Sequence, residues 1–458
     1  MAERDSWGER LPRTVGLLPA VLVLVGITIG SGIFRVPLTV AGRLGEPGSV
    51  LLVWVFGGVL ALLGALTLAE LAALFPRSGG VFAYIEEGFG PMPAFLFGWS
   101  QLAVLRASAL GGISTIFAEY LRQFVPLTAA QVHYVAAALI ATVGTLNYLG
   151  VQRAAVVTNF ATILKYGALV LLVALAFTSS SGSVNNFSPA FSGALSLSAL
   201  ATAIVPVMWA YDGWADLSFM SGEIKDPART LPRALIMGTL AIIAIYLLVN
   251  VAYIYLIPVP EMVSMAGTTP PPLIAATAAS RIPILGSAGA GIIAAVVMIS
   301  TFSSVNGTMM TSPRIFFGMA DRGLFFPAIA RISPRFKSPS TAIFLATGLG
   351  VVYVLFNDFQ QLADKFVLGI WPFYILAVGA VFMVRRKQPD LPRPYRVVGY
   401  PFVPIIFLLA STGMIVNALM TDPKNTGITF GIILAGIPVF YVARAMGKIN
   451  PVGGVKKG

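Results

Sequence analysis

The sequence predicts an all-α integral membrane protein of about 12 transmembrane helices. Spans one to five and six to ten form a 5+5 inverted repeat with broken helices 1 and 6, and two C-terminal helices follow. Three observations predict it. Of 458 residues, 57% are hydrophobic and only 10% are charged, where a soluble domain carries about 25% charged residues. Apolar runs long enough to cross a bilayer, roughly 20 residues each, recur from end to end. Two of these runs are interrupted in the same way, five spans apart.

A spanning segment must satisfy its own backbone hydrogen bonds, so the runs are read as helices; a barrel would show short alternating strands instead. They lie near 15–40, 48–75, 91–124, 128–149, 155–178, 195–221, 232–257, 285–318, 340–356, 362–385, 400–419 and 426–446. Turns are punctuated by PRSGG (Pro76 to Gly80), FGPMP (Phe89 to Pro93) and KDPARTLPR (Lys225 to Arg233). The longest polar gaps, Phe177 to Leu195 and Pro258 to Pro283, leave no room for a second domain. The chain therefore divides into a cytoplasmic tail (1–14), the first repeat (15–178), the inverted second repeat (195–385), the last two spans (400–446) and a second cytoplasmic tail (447–458).

The net charge of +12 follows this plan. Arg4, Arg10 and Arg13 precede the first span. Arg153 follows the fourth, Lys225, Arg229 and Arg233 the sixth, and Arg314, Arg322, Arg331, Arg335 and Lys337 the eighth. Arg385, Arg386, Lys387, Arg393 and Arg396 follow the tenth, and Arg444, Lys448, Lys456 and Lys457 close the chain. The alternate loops hold only Arg43, Arg122, Arg281, Lys365 and Lys424. Basic residues favour the cytoplasmic side, so both termini are placed there, and the excess charge reads as topology rather than nucleic-acid binding. The first apolar run is too long for a cleavable signal peptide. Without cysteine there is no disulfide and no thiolate metal site. The single histidine, His133, reads as an interfacial residue.

The first interruption is GITIGSGIFRVP (Gly26 to Pro37); the second lies in VMWAYDGWADLSF (Val207 to Phe219), with Asp212 and Gly213 in mid-span. Two breaks in corresponding positions point to an inverted repeat with a binding site between them. A broken helix exposes N–H groups on one half and C=O groups on the other. The N–H end suits an anion and the C=O end a cation. The ligand matched to both at once is a zwitterion, an α-amino acid.

With these residues in view, GITIGSGIF resembles the first-span motif of the amino acid–polyamine–organocation (APC) superfamily of transporters, and the branch is similar to the prokaryotic L-type amino acid transporters. ELAALFPRSGGVFAYIEEGFGPMPAFLFGW from Glu70, WAYDGW from Trp209, GEIKDPARTLPRAL from Gly222, SVNGTMMTSPRIFF from Ser304 and LPRPYRV from Leu391 are similar to the same branch, in the same order. The resemblance implies that the substrate carboxylate sits on amides and the hydroxyl around Gly30, Ser31 and Gly32. It implies that the ammonium is held by carbonyls near Thr28 and at Trp209 and Asp212, with Trp209 as an aromatic gate. The bland reading of Trp209 is a packing residue of the bundle.

Lys165 is a lone lysine within the fifth span, and an intramembrane charge is a functional hypothesis by default. The resemblance implies that it replaces sodium between the first and eighth spans, near Ser303 or Ser304, as a fixed brace or as a proton carrier; snorkelling to the interface is its alternative. Asp212 stands where the animal members have glycine. It either caps one half of the sixth span or contacts substrate or a proton. Arg35 either draws carboxylates into the outer vestibule or reaches the headgroups. Arg106 resembles a third-span arginine of the branch and reads as structural.

The resulting expectation is a secondary active transporter of L-amino acids, working by alternating access without sodium, by exchange, in the bacterial cytoplasmic membrane. Proton-coupled uptake and a non-transporting sensor with the same site are the alternatives. A channel would favour charged rings over one zwitterion site. An enzyme would show a nucleophile–base pair, metal-ligand spacing or a phosphate-binding loop, none of which the sequence carries. The expected partners are the substrate and the lipid bilayer, with no cofactor, no metal and no nucleic acid. A disulfide-linked glycoprotein partner like that of the animal members has no cysteine to join, and a monomer or weak homo-oligomer is expected.

Overall fold

A computed structural model describes residues 13–447 except 77–79, 150–151, 194–195, 322, 327, 330, 332, 334 and 337, and also residue 449. The two predicted tails therefore lie almost wholly outside the described residues, as do Arg4, Arg10, Arg322, Lys337, Lys448, Lys456 and Lys457, and the side chains of Arg153 and Arg314. The regular secondary structure of the described residues is helical, apart from one parallel bridge between Val15 and Ile224.

The helices run in order as α1 (Leu17–Thr28), α2 (Val36–Leu44), α3 (Pro47–Leu74) and α4 (Gly80–Phe89). Next come α5 (Pro91–Leu121), α6 (Ala129–Leu149), α7 (Gln152–Thr178), α8 (Leu197–Tyr211) and α9 (Pro227–Leu256). Then follow α10 (Val259–Ala266), α11 (Ile274–Ser280), α12 (Gly289–Asp321), α13 (Ser340–Phe356) and α14 (Phe359–Lys387), and finally α15 (Phe402–Thr421), α16 (Pro423–Leu434) and α17 (Gly436–Ala445). Among the described residues, eight helices are long and apolar enough to cross a membrane. Shorter apolar helices stand where the sequence places spans one, five, six and nine: Leu17–Thr28, Leu164–Thr178, Leu197–Tyr211 and Ser340–Phe356.

Local chemistry sets the helix starts. Proline opens α3, α5 and α9, where its missing N–H has no intrahelical partner to lose. Asp358 and Gln361 form a reciprocal cap on α14, and Arg385, Arg386 and Lys387 sit at its negative end. The gap read as loop between Pro258 and Pro283 instead contains α10 and α11, and the one after Pro76 contains α4. These helices have 8, 7 and 10 residues, too short for the long apolar run that marks a span.

Both predicted breaks are present. After Thr28 the chain leaves the helix, makes a single 3₁₀ turn over Gly32–Phe34 and re-enters a helix at Val36. After Tyr211 it turns extended at Asp212, takes a positive φ of 108° at Gly213 and continues as 3₁₀ helix over Asp216–Glu223. That φ is open to glycine and strained for other residues. α9 packs against both α1 and α3, and α8 packs against α2 and α3, so the two breaks face each other inside the bundle.

Candidate functional site

The breaks touch reciprocally. A Cβ on Gly32 would lie 2.7 Å from Ala210 Cα, and a Cβ on Gly213 would lie 2.9 Å from Thr28 Oγ1. Each break thus presents a glycine to the residues just before the other break. Gly30 differs: a Cβ there would find only the Thr28 carbonyl oxygen, at 3.9 Å.

Buried backbone groups need partners, and the breaks sort theirs unevenly. The carbonyl side is provided for. Lys165 Nζ donates to Gly26 O at 3.0 Å. The Tyr246 hydroxyl is shared between Thr28 O at 3.0 Å and Ala210 O at 2.7 Å. Tyr120 donates to Phe34 O at 2.8 Å. The amide side is not: among the described residues nothing accepts from the N–H of Ser31 or Gly32, and the Ser31 hydroxyl has no hydrogen-bond partner. Three donors stand together, unpaired, where a helical half begins; such a place favours an anion.

Trp209 is 8% exposed. Its indole meets Phe359 edge-on at 5.8 Å and Phe366 at 5.2 Å, and it lies over Gly112, where a Cβ would come within 2.9 Å of it. Beyond Phe359 sits Arg35, its guanidinium 5.4 Å from the ring centroid. Arg35 Nε donates to Glu119 Oε2 at 2.9 Å, and both side chains are largely buried, 12% and 14% exposed. Arg35 is therefore tied to α5 and does not run out to the headgroups. Trp209, Phe359, Arg35 and Glu119 form a continuous stack of contacts.

Asp212 lines a separate small cavity, which it shares with Phe366, the second ring packed on Trp209. Its Oδ1 accepts from the Tyr374 hydroxyl at 2.9 Å, while the 3₁₀ helix that follows has no side-chain cap. The carboxylate thus goes to α14 rather than to a helix N-terminus. Asp212, Asp216, Gln101, Arg106 and Tyr374 line a cavity of 20 Å³, which is room for one water. A π-helical segment over Gln101–Leu105 puts residues five apart in line, so that Arg106 Nε donates to Gln101 Oε1 at 2.9 Å. Arg106 thus stands beside the predicted residue Asp212.

Lys165 is 5% exposed, and its ammonium donates to the first-span carbonyl Gly26 O. Of the two eighth-span serines, Ser304 donates back to Ser300 O at 3.0 Å. His133 bonds the Val354 carbonyl at 2.6 Å, a helix-to-helix tie. Among the described residues no cluster of three metal-ligating side chains occurs.

Sequence reasoning brought Thr28, Gly30, Ser31, Gly32, Trp209 and Asp212 to one place. It missed Tyr246, Tyr374, Asp216, Gln101 and Glu119. A tyrosine or glutamine within an apolar run was the available signal, since a buried polar group in a span needs a partner.

Residues 15–443 match the family described as amino acid permease. The chain is 30% identical to the serine/threonine exchanger SteT of Bacillus subtilis, over 94% of this chain and 97% of that one. It is 32% identical to the b(0,+)-type amino acid transporter 1 of Mus musculus (90% and 84%) and 33% identical to the cystine/glutamate transporter of Homo sapiens (94% and 85%).

Proposed function

The chain belongs to the amino acid permease family of the APC superfamily, and from that premise we propose that it carries L-amino acids across a membrane by alternating access, as a sodium-independent exchanger. The observation that carries this reading is the juxtaposition of three unpaired donors, Ser31 N–H, Gly32 N–H and Ser31 Oγ, with the Thr28 and Ala210 carbonyls. The donors take the carboxylate. The ammonium takes the carbonyls, displacing the Tyr246 hydroxyl that bridges them. Trp209 covers the ligand as gate, and Gly30 leaves it room, since a Cβ there would meet only the Thr28 carbonyl oxygen at 3.9 Å.

Sodium independence rests on Lys165, whose ammonium on Gly26 O supplies a fixed positive charge at the first span. Exchange is favoured by the name of the Bacillus subtilis relative, a serine/threonine exchanger. The architecture proposed is twelve spans as a 5+5 inverted repeat with two added helices, in a bacterial cytoplasmic membrane, both termini inside. The chain acts alone or as a weak homo-oligomer, and without cysteine it forms no disulfide to a partner.

Proton-coupled uptake is the second reading. Two carboxylates, Asp212 and Asp216, share a cavity with one arginine, Arg106. A proton on one of them would balance the charge.

A thermal-shift screen of the purified protein against the standard L-amino acids tests the binding step, because a ligand that prefers the folded site raises the melting temperature by mass action. Stabilisation by a subset of amino acids, lost when the α-amino or α-carboxyl group is removed from the ligand, is expected. A cooperatively melting protein that none of them stabilises contradicts the proposal.

A further inference from the structure

The stack from Trp209 to Glu119 ends at a second cavity. A depression of about 470 Å³ is lined by Glu119, Arg122, Gln123, Thr277, Ser280 and the Pro270–Pro272 run, among others. That volume is in the range of small-molecule sites, roughly 300–1,000 Å³. Its walls come from the end of α5, from α11 and from the segment before α11. Its lining includes no residue of either break, and Glu119 joins it to Arg35.

The charged groups on its wall are in different conditions. Glu119 is engaged by Arg35. Arg122 is not engaged: its Nε is buried without a hydrogen-bond partner, and no described residue forms an ion pair with its guanidinium. A guanidinium is planar and matched to a carboxylate, and an unpartnered buried donor is costly. The wall therefore offers a free cation beside an anion whose present partner is another side chain.

We propose that this cavity is a peripheral amino acid site, with the ligand carboxylate on Arg122 and its ammonium competing with Arg35 for Glu119. Occupancy then acts on the gate. A ligand shifts an equilibrium only through a difference in affinity between its states, and here the difference is explicit. The ammonium binds Glu119 better once Arg35 has let go. Releasing Arg35 removes the cation held against Phe359, and Phe359 is the ring packed on Trp209. A waiting ligand thereby loosens the cover over the site between the breaks. The proposal takes only the ligand's chemistry from the amino acid reading above.

The absence of cysteine gives a direct test. Ser280→Cys places one thiol on the exposed rim of the cavity, and Gln123→Cys gives a second reporter. Modification by a membrane-impermeant maleimide is followed with and without a mixture of the standard L-amino acids. Protection of about tenfold is expected when the mixture exceeds its dissociation constant about tenfold, by mass action. Protection should vanish in Arg122→Gln, return in part in Arg122→Lys and persist in Trp209→Phe. Uptake by the same liposomes is read separately, so that loss of the transport reading and loss of this one are distinguishable. No protection at either thiol, or protection unchanged in Arg122→Gln, overturns the proposal. So does protection by phosphatidylglycerol vesicles without amino acid that disappears in Arg122→Gln, which would make a lipid headgroup the occupant.

Discussion

The Tyr246 hydroxyl lies 3.0 Å from the Thr28 carbonyl oxygen, and the same hydroxyl is 2.7 Å from Ala210 O. One side chain on α9 thus fastens the carbonyl ends of both broken helices. Trp54 braces it from the side, with its ring 5.6 Å from that of Tyr246.

Tyr246→Phe removes that donor and keeps the ring. Ala210 O loses its donor while Thr28 O keeps the Gly30 N–H; a buried carbonyl left unpaired costs about 1–3 kcal/mol, so the melting temperature should fall. A bound ammonium replaces the missing donor, so the stabilisation given by amino acid should be larger in Tyr246→Phe than in the parent. An equal or smaller ligand shift would separate Tyr246 from the ammonium site.

Gly30 and Gly32 should respond differently to the same methyl group. Gly32→Ala drives Cβ into the backbone of Ala210, an overpacking of about 1–3 kcal/mol, and should lower the melting temperature. Gly30→Ala meets only the Thr28 carbonyl oxygen, at an ordinary contact distance of 3.9 Å, and should melt like the parent while binding amino acid more weakly, because the methyl enters the ligand's volume. Parent-like affinity in Gly30→Ala would move the ligand away from this break.

The spans and the breaks were legible in the sequence for a simple reason. A twenty-residue apolar run has no alternative to a helix, and Gly30-Ser31-Gly32 and Asp212-Gly213 are poor residues for continuing one. The helices α4, α10 and α11 were not, because short pieces beside polar gaps carry no such constraint. Nor were the partners of the polar residues. Arg35 is visible in the sequence, but nothing in its neighbourhood names Glu119, 84 residues away. The same holds for Asp212 and Tyr374, 162 residues apart. Asp212 as a cap follows from local propensity, and a tertiary partner overrode it. The π-helical segment at Gln101 leaves no mark in hydropathy, and with it went the link between Arg106 and the site.

Trp209 packs between two phenylalanines, so its loss tests stability as well as gating. Trp209→Ala should cost about 3–5 kcal/mol, as large aromatic truncations in a core do. Trp209→Phe keeps an aromatic cover and should stay folded, with weaker retention of ligand measured as faster dissociation of labelled amino acid. Parent-like dissociation from Trp209→Phe and from Trp209→Leu together would make this residue packing alone.

Exchange in liposomes tests the central claim most directly. Vesicles carrying the protein are loaded with unlabelled L-amino acids, and uptake of a labelled mixture is followed in sodium-free and in sodium-containing buffer. The account requires equal uptake in both, dependence on internal amino acid, and a fall of about tenfold or more in Lys165→Ala, equivalent to roughly 1.4 kcal/mol, with expression intact. Uptake that occurs only with sodium, or no uptake by a protein that binds amino acids in the thermal screen, would contradict it.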